Sequence, residues 1–113
     1  MSMFLTVAFA AASIFHTSLK SSIPARDAMV VAPSTVSLTF TEKVSVPLSS
    51  IVILRADSSQ IEKLVVKATS NPARIEGAVV SKLAAGKYLI RWKTVSADGH
   101  VVRGTFGFAV KPS

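Results

Sequence analysis

Most of the chemistry open to this chain sits in five residues, Ser96-Ala97-Asp98-Gly99-His100, and in one further histidine, His16. Asp98 and His100 bracket a glycine. In an extended or gently turned segment the side chains of residues i and i+2 point the same way, so both can reach a single ion. Imidazole with carboxylate suits Cu(II), Zn(II) or Ni(II). Taken alone, an Asp-x-His in a loop is more often a plain polar turn than a metal site. His16 closes an apolar N-terminal stretch, MSMFLTVAFAAASIF, that carries no charge. If His16 begins the mature chain, its α-amine and its ring Nδ1 can chelate one ion. That amine titrates near pH 8, about 7.7–8.0, well below a lysine, and can give up its proton to a metal at neutral pH. One amine, two imidazoles and a carboxylate form a tetragonal N,O set, which favours Cu(II). His16, Asp98 and His100 are therefore the candidate metal ligands.

Other chemistries lack their residues. There is no cysteine, which removes thiol nucleophiles and thiolate metal sites. No Gly-x-Ser-x-Gly occurs, and an Asp and a His two apart on one loop do not easily align a third partner for a triad. The five glycines, Gly77, Gly86, Gly99, Gly104 and Gly107, are spread along the chain and make no phosphate-cradling loop. The six carboxylates show no pairing suited to glycoside chemistry. The expectation is a binding protein and not an enzyme. The net charge of +7 comes from thirteen scattered cations with no basic run and few interleaved aromatics, the pattern of a soluble basic surface and not of a nucleic-acid binder.

The elements that must position these residues read as strands. Val36–Thr41 alternates strictly, with Val36, Leu38 and Phe40 on one face. Ile51–Leu54 is a short β-branched run, closed by Ala56-Asp57-Ser58-Ser59. Glu62–Lys67 and Arg74–Val80 flank the turn signal Ser70-Asn71-Pro72. Lys87–Val95 alternates Tyr88, Ile90, Trp92 and Thr94 against Leu89, Arg91, Lys93 and Val95, and Thr105–Val110 puts Phe106, Phe108 and Val110 on one side. A further short strand is expected near Thr17–Ser21. About seven strands at this spacing, with no amphipathic helix, predict an all-β fold: an antiparallel β-sandwich in a single domain. Gly86 just ahead of Tyr88 suits a tyrosine corner, in which the phenol bonds to upstream backbone. Trp92, Phe106 and Phe108 are expected in the core.

Residues 1–15 are too short to span a bilayer. Phe4–Ala12 fits the apolar region of a secretory signal, with Ala8, Ala10, Ala11 and Ala12 as small residues near a cut. Two cuts compete. One before His16 frees the amine but leaves Phe15 at the last removed position; one after Ala12 suits the small-residue rule better and leaves His16 internal.

Two separated stretches resemble the CopC/PcoC family of periplasmic copper-resistance proteins. HTSLKSSIPARDAMVVAPSTVSLTFTEKV, from His16 to Val44, resembles the start of the mature family chain, with its leading His, its Leu-x-x-Ser-x-Pro and its Leu-Thr-Phe-Ser/Thr-Glu strand. LAAGKYLIRWKTVSADGHVVRGTFGFAV, from Leu83 to Val110, resembles its C-terminal half, with Ala-Gly-x-Tyr, a Trp strand and Val-Ser-x-Asp-x-His. About residues 45 to 80 carry no family motif. The resemblance implies a signal peptide over 1–15, a copper-binding domain over 16–113, and an Ig-like, cupredoxin-like Greek-key β-barrel. By position His16 matches the N-terminal His ligand, Asp98 and His100 match the loop ligands, and Glu42 matches an acid near the Cu(II) site, read as an acceptor that orients an imidazole N–H. The implied role is Cu(II) storage, delivery or resistance in the periplasm, with an inner-membrane copper permease of the CopD type as partner. With only Met1, Met3 and Met29, the chain lacks the methionine-rich loop that gives some family members a Cu(I) site. Two alternatives stand beside this reading: a non-metal structural or adhesion β-sandwich, and a histidine-brace copper oxidase.

Overall fold

The structure, a computed structural model, describes residues 17–113. The expected leader and His16 lie outside the described residues. Nine strands form two sheets: β1 (Leu19–Ile23), β2 (Met29–Val30), β3 (Thr35–Phe40), β4 (Ser50–Arg55), β5 (Gln60–Lys63), β6 (Val66–Ala68), β7 (Arg74–Ala78), β8 (Gly86–Val95) and β9 (Val101–Val110). The order in one sheet is β1-β3-β7-β6 and in the other β2-β9-β8-β4-β5. Every pairing is antiparallel except that of the short β2 with β9. Among the described residues there is no helix.

The predicted sandwich is the observed one, with two more strands than expected. Glu62–Lys67 does not run as one strand. Its two halves, β5 and β6, belong to different sheets. The crossing occurs at Leu64 and Val65, where Leu64 turns into the core and Val65 faces solvent. Two residues of β2 carry no periodicity and escape a pattern search. β9 begins at Val101, four residues earlier than its alternating aromatics suggest, and β1 starts at Leu19 and not at Thr17.

The core lies between the sheets and comes from the alternating faces. Val36, Leu38 and Phe40 of β3 and Ile75 of β7 face Ile51 and Ile53 of β4, Ile90 and Trp92 of β8, and Phe106, Phe108 and Val110 of β9. Each of these side chains contributes about 1.5–3 kcal/mol by leaving water. Phe40 meets Trp92 edge-on at 5.2 Å between ring centroids. Trp92 lies flat across β9 because residue 104 is glycine: a Cβ there would sit 2.6 Å from Cζ2 of the indole.

The tyrosine corner is present. The phenol of Tyr88 donates to the carbonyl of Ala84 at 2.6 Å, and its ring stacks on Phe108 at 5.7 Å. Glu62 closes a second link at the same end. Its carboxylate accepts from the amides of Val80 (3.0 Å) and Ser81 (2.8 Å). Burial raises the pKa of Glu62, but those two amides and the Ser81 hydroxyl outweigh it and hold the carboxyl below its ordinary value.

Candidate metal site

β8 and β9 pair over ten residues, from Gly86 with Val110 to Val95 with Val101, and the turn between them carries Asp98 and His100. The turn is closed from within. The amide of Ser96 donates to the carbonyl of His100, and the amide of Gly99 to the carbonyl of Ser96, both at 2.9 Å. Gly99 has φ of 88°, a conformation that costs glycine little and other residues more. Asp98-Gly99 is thus a hairpin-turn dipeptide as well as half of a donor motif.

This turn fixes what each oxygen of Asp98 does. Oδ1 accepts from the Ser96 hydroxyl and from the His100 amide at 3.1 Å. Oδ2 is left facing the imidazole, 3.4 Å from Nδ1 of His100. That gap is long for a hydrogen bond. It is close to the roughly 3 Å between two ligands that each lie about 2 Å from one ion at near-right angles. The Ser96 hydroxyl and the His100 amide hold the Asp98 carboxyl below its ordinary pKa. His100 and Asp98 are exposed, at 73% and 55% of their side-chain surface. Among the described residues both side chains are open to an incoming ion.

A strut formed by residues 41–45 ties this turn to the start of the described chain. On one side the Thr41 amide donates to the Ser18 carbonyl (2.9 Å), the Ser18 amide to Oγ1 of Thr41 (3.0 Å), and the Thr17 hydroxyl to Oε2 of Glu42 (3.2 Å). On the other, Val44 bridges Ser96 and the Ser45 amide donates to the Val95 carbonyl at 2.9 Å. Thr17 consequently lines the same open cleft, about 510 Å³, as Ser96, Asp98, His100 and Arg103.

Of the four residues singled out from sequence, Asp98 and His100 come together as expected. Glu42 stands next to Thr17, which lines their cleft, and its described partner is the Thr17 hydroxyl, not an imidazole. His16, one residue before Thr17, lies outside the described residues. Among the described residues no three His, Cys, Asp or Glu side chains cluster as a metal cage, so Asp98 and His100 stand as a pair. Sequence reasoning missed Thr17, Ser96 and Arg103. Ser96 had a local signal, a serine two before an aspartate; Thr17 had none, because its contact spans 25 positions.

The profile of the CopC domain matches residues 19–111. The chain belongs to the CopC family. Copper resistance protein C from Escherichia coli is 32% identical to it over 114 residues, covering 95% of this chain and 90% of the relative. A second Copper resistance protein C, from Xanthomonas campestris pv. juglandis, is similar at the same identity and coverage. Protein YobA from Escherichia coli K12 is 30% identical over 110 residues, with 95% and 89% covered. Among solved structures, CopC from Methylosinus trichosporium OB3b aligns with a TM-score of 0.79 at 30% identity, over 86% of this chain and 95% of its own. PcoC from Escherichia coli, described as a methionine-rich copper resistance protein, aligns with a TM-score of 0.71 at 30% identity, over 86% of this chain and all of its own. Here the CopC fold has a different complement of soft donors: Met29 is the one methionine among the described residues, and it sits exposed in β2.

Proposed function

We propose that this CopC-family protein is a periplasmic Cu(II) carrier. It holds the ion through the α-amine and ring of His16, the ring of His100 and the carboxylate of Asp98. The observation that supports this most directly is the shared cleft: Thr17 lines it together with Asp98 and His100. His16 immediately precedes Thr17 in the sequence, and a trans peptide keeps consecutive Cα atoms about 3.8 Å apart. The set is mixed nitrogen and oxygen, which selects Cu(II) over the thioether-loving Cu(I). Family membership, and relatives named for copper resistance, favour copper over zinc or nickel.

Each residue has a separate task. Asp98 supplies one negative charge and, through Oδ1, is oriented by Ser96 before the ion arrives. Glu42, which accepts from the hydroxyl of neighbouring Thr17, also takes the N–H of the His16 ring in this reading and sets its orientation, as outer partners of metal-bound imidazoles do. Residues 1–15 direct export of the domain, and their removal frees the amine. The protein stores or delivers copper, or confers resistance to it, without turnover, and a CopD-type inner-membrane permease receives the ion.

The test is a Cu(II) titration of the mature protein beginning at His16 and of the same protein with one glycine added before it. The extra residue removes the amine from the chelate but leaves both rings. A drop in affinity of about tenfold or more is expected with the added glycine; equal affinities would remove the amine from the site. Binding should also fall steeply as pH drops below about 5, because protons compete for imidazole and amine.

A further inference from the structure

Cations that look scattered in the sequence gather on one face of the fold. Along β8 the side chains of Lys87, Arg91 and Lys93 point outward, opposite in parity to Ile90 and Trp92. Register then sets Arg103 of β9 directly beside Lys93, and Lys63 of β5 across Val52 from Arg91. Strands lie about 4.8 Å apart and alternate residues about 7 Å along a strand. Lys63, Arg91, Lys93 and Arg103 therefore occupy one continuous patch of the five-stranded sheet, with Lys87 beyond Leu89 on the same face. Like charges directly opposite one another, as Lys93 and Arg103 are, destabilise a sheet. None of the five is in an ion pair: among the described residues the only one is Asp98 with His100, and Asp98 shares a cleft with Arg103 alone of the five. Glu62, the acid of β5, is held by the Val80 and Ser81 amides. Asp27, at the far end near Gly107 and Lys87, makes no ion pair. The outer face of the other sheet, by contrast, sets an acid against a cation, with Glu76 directly opposite Lys67.

We propose that this face docks the protein on an anionic lipid surface, its ligands being the phosphate groups of the lipid heads. A protein partner is held in register by charges of both signs placed against their opposites; this patch has one sign and no register mark. Single-stranded nucleic acid is held by stacking on exposed rings, and the rings of both central strands, Tyr88, Trp92, Phe106 and Phe108, lie on the core side. A single-sign sheet face suits a surface that is laterally uniform and negative, with each nearby Lys or Arg adding to the attraction. Arg103 belongs to both the patch and the cleft of Asp98 and His100, so docking brings the cleft to the edge of the membrane. That placement serves the copper reading above, but the docking does not depend on it and is tested on metal-free protein.

The experiment is cosedimentation of the mature protein with vesicles of phosphatidylglycerol and phosphatidylcholine, and with phosphatidylcholine alone, at low and high salt. Binding only to the anionic vesicles, weakened by salt, is expected. The double variant Arg91→Glu/Lys93→Glu should lose about tenfold or more in partitioning. Lys20→Glu/Lys82→Glu, with the same change in net charge on exposed sites elsewhere, should lose about twofold or less. Equal loss in the two variants would assign the binding to net charge and overturn the proposal. So would absence of binding to the anionic vesicles, or binding to polyglutamate or single-stranded RNA that is tighter than to vesicles and lost in the Arg91/Lys93 variant. Near-ultraviolet circular dichroism checks that both variants are folded. Cu(II) affinity unchanged in the Arg91/Lys93 variant separates this surface from the metal site.

Discussion

The two ends of the β8–β9 hairpin share one ladder and are put to opposite uses. At the Gly86 end the Tyr88 phenol and the Glu62 carboxylate each find partners inside the protein, Ala84 for the first and the Val80 and Ser81 amides for the second. At the turn end the hydrogen bonds stop one short. Ser96 and the backbone consume Oδ1 of Asp98, and leave Oδ2 and the His100 ring facing each other in an open cleft. A group whose partners are already supplied fixes geometry. A group left one partner short, yet held rigidly, can take a ligand. Both ends carry a carboxylate, so the difference between structural and chemical ends lies in that last unfilled position and in the imidazole that faces it.

Substitutions should separate the ends cleanly. The largest effect is expected from His100→Ala, which should lower Cu(II) affinity by about a hundredfold or more and abolish the d–d absorption band, with little change in melting temperature because the ring is exposed. A d–d band of undiminished strength would break the comparison. Next is Tyr88→Phe, which removes the bond to Ala84 and should cost about 1 kcal/mol in chemical denaturation, with copper affinity unchanged. Glu62→Ala is the smallest and the most dependent on pH. Its carboxyl is held below the ordinary value of 4.5 in the folded protein. A lowered folded pKa gives stability that is present above the unfolded value and is lost as pH falls through the folded one. The variant should therefore melt below the parent protein at pH 7, by about 1 kcal/mol of stability, and the gap should close at pH values under 4.5. A gap that widened in acid would mean that Glu62 is not the carboxylate those amides stabilise.

How legible all this is in the sequence depends on range. The alternating faces of β3, β8 and β9 are local, and the core they build is the one expected. The split at Leu64 and Val65 is not, because the change of sheet is decided by what lies opposite: the Leu64 amide donates to the Ile51 carbonyl thirteen positions away. At the site, Asp98 and His100 are readable since one short turn contains them both. The tie that draws Thr17 to Glu42 joins residues 25 apart and leaves no trace in either neighbourhood. The basic face is the extreme case. Lys63, Lys93 and Arg103 look dispersed along the chain, and only strand register makes them neighbours.

Gly104 has a practical consequence. By leaving room for the indole across β9, it seats the chain's single tryptophan on β8, roughly 13 Å along the strand from Ser96. Trp92 is thus a built-in optical reporter: a paramagnetic ion seated in the turn quenches one known ring, so the emission of the unlabelled protein follows loading and release in real time.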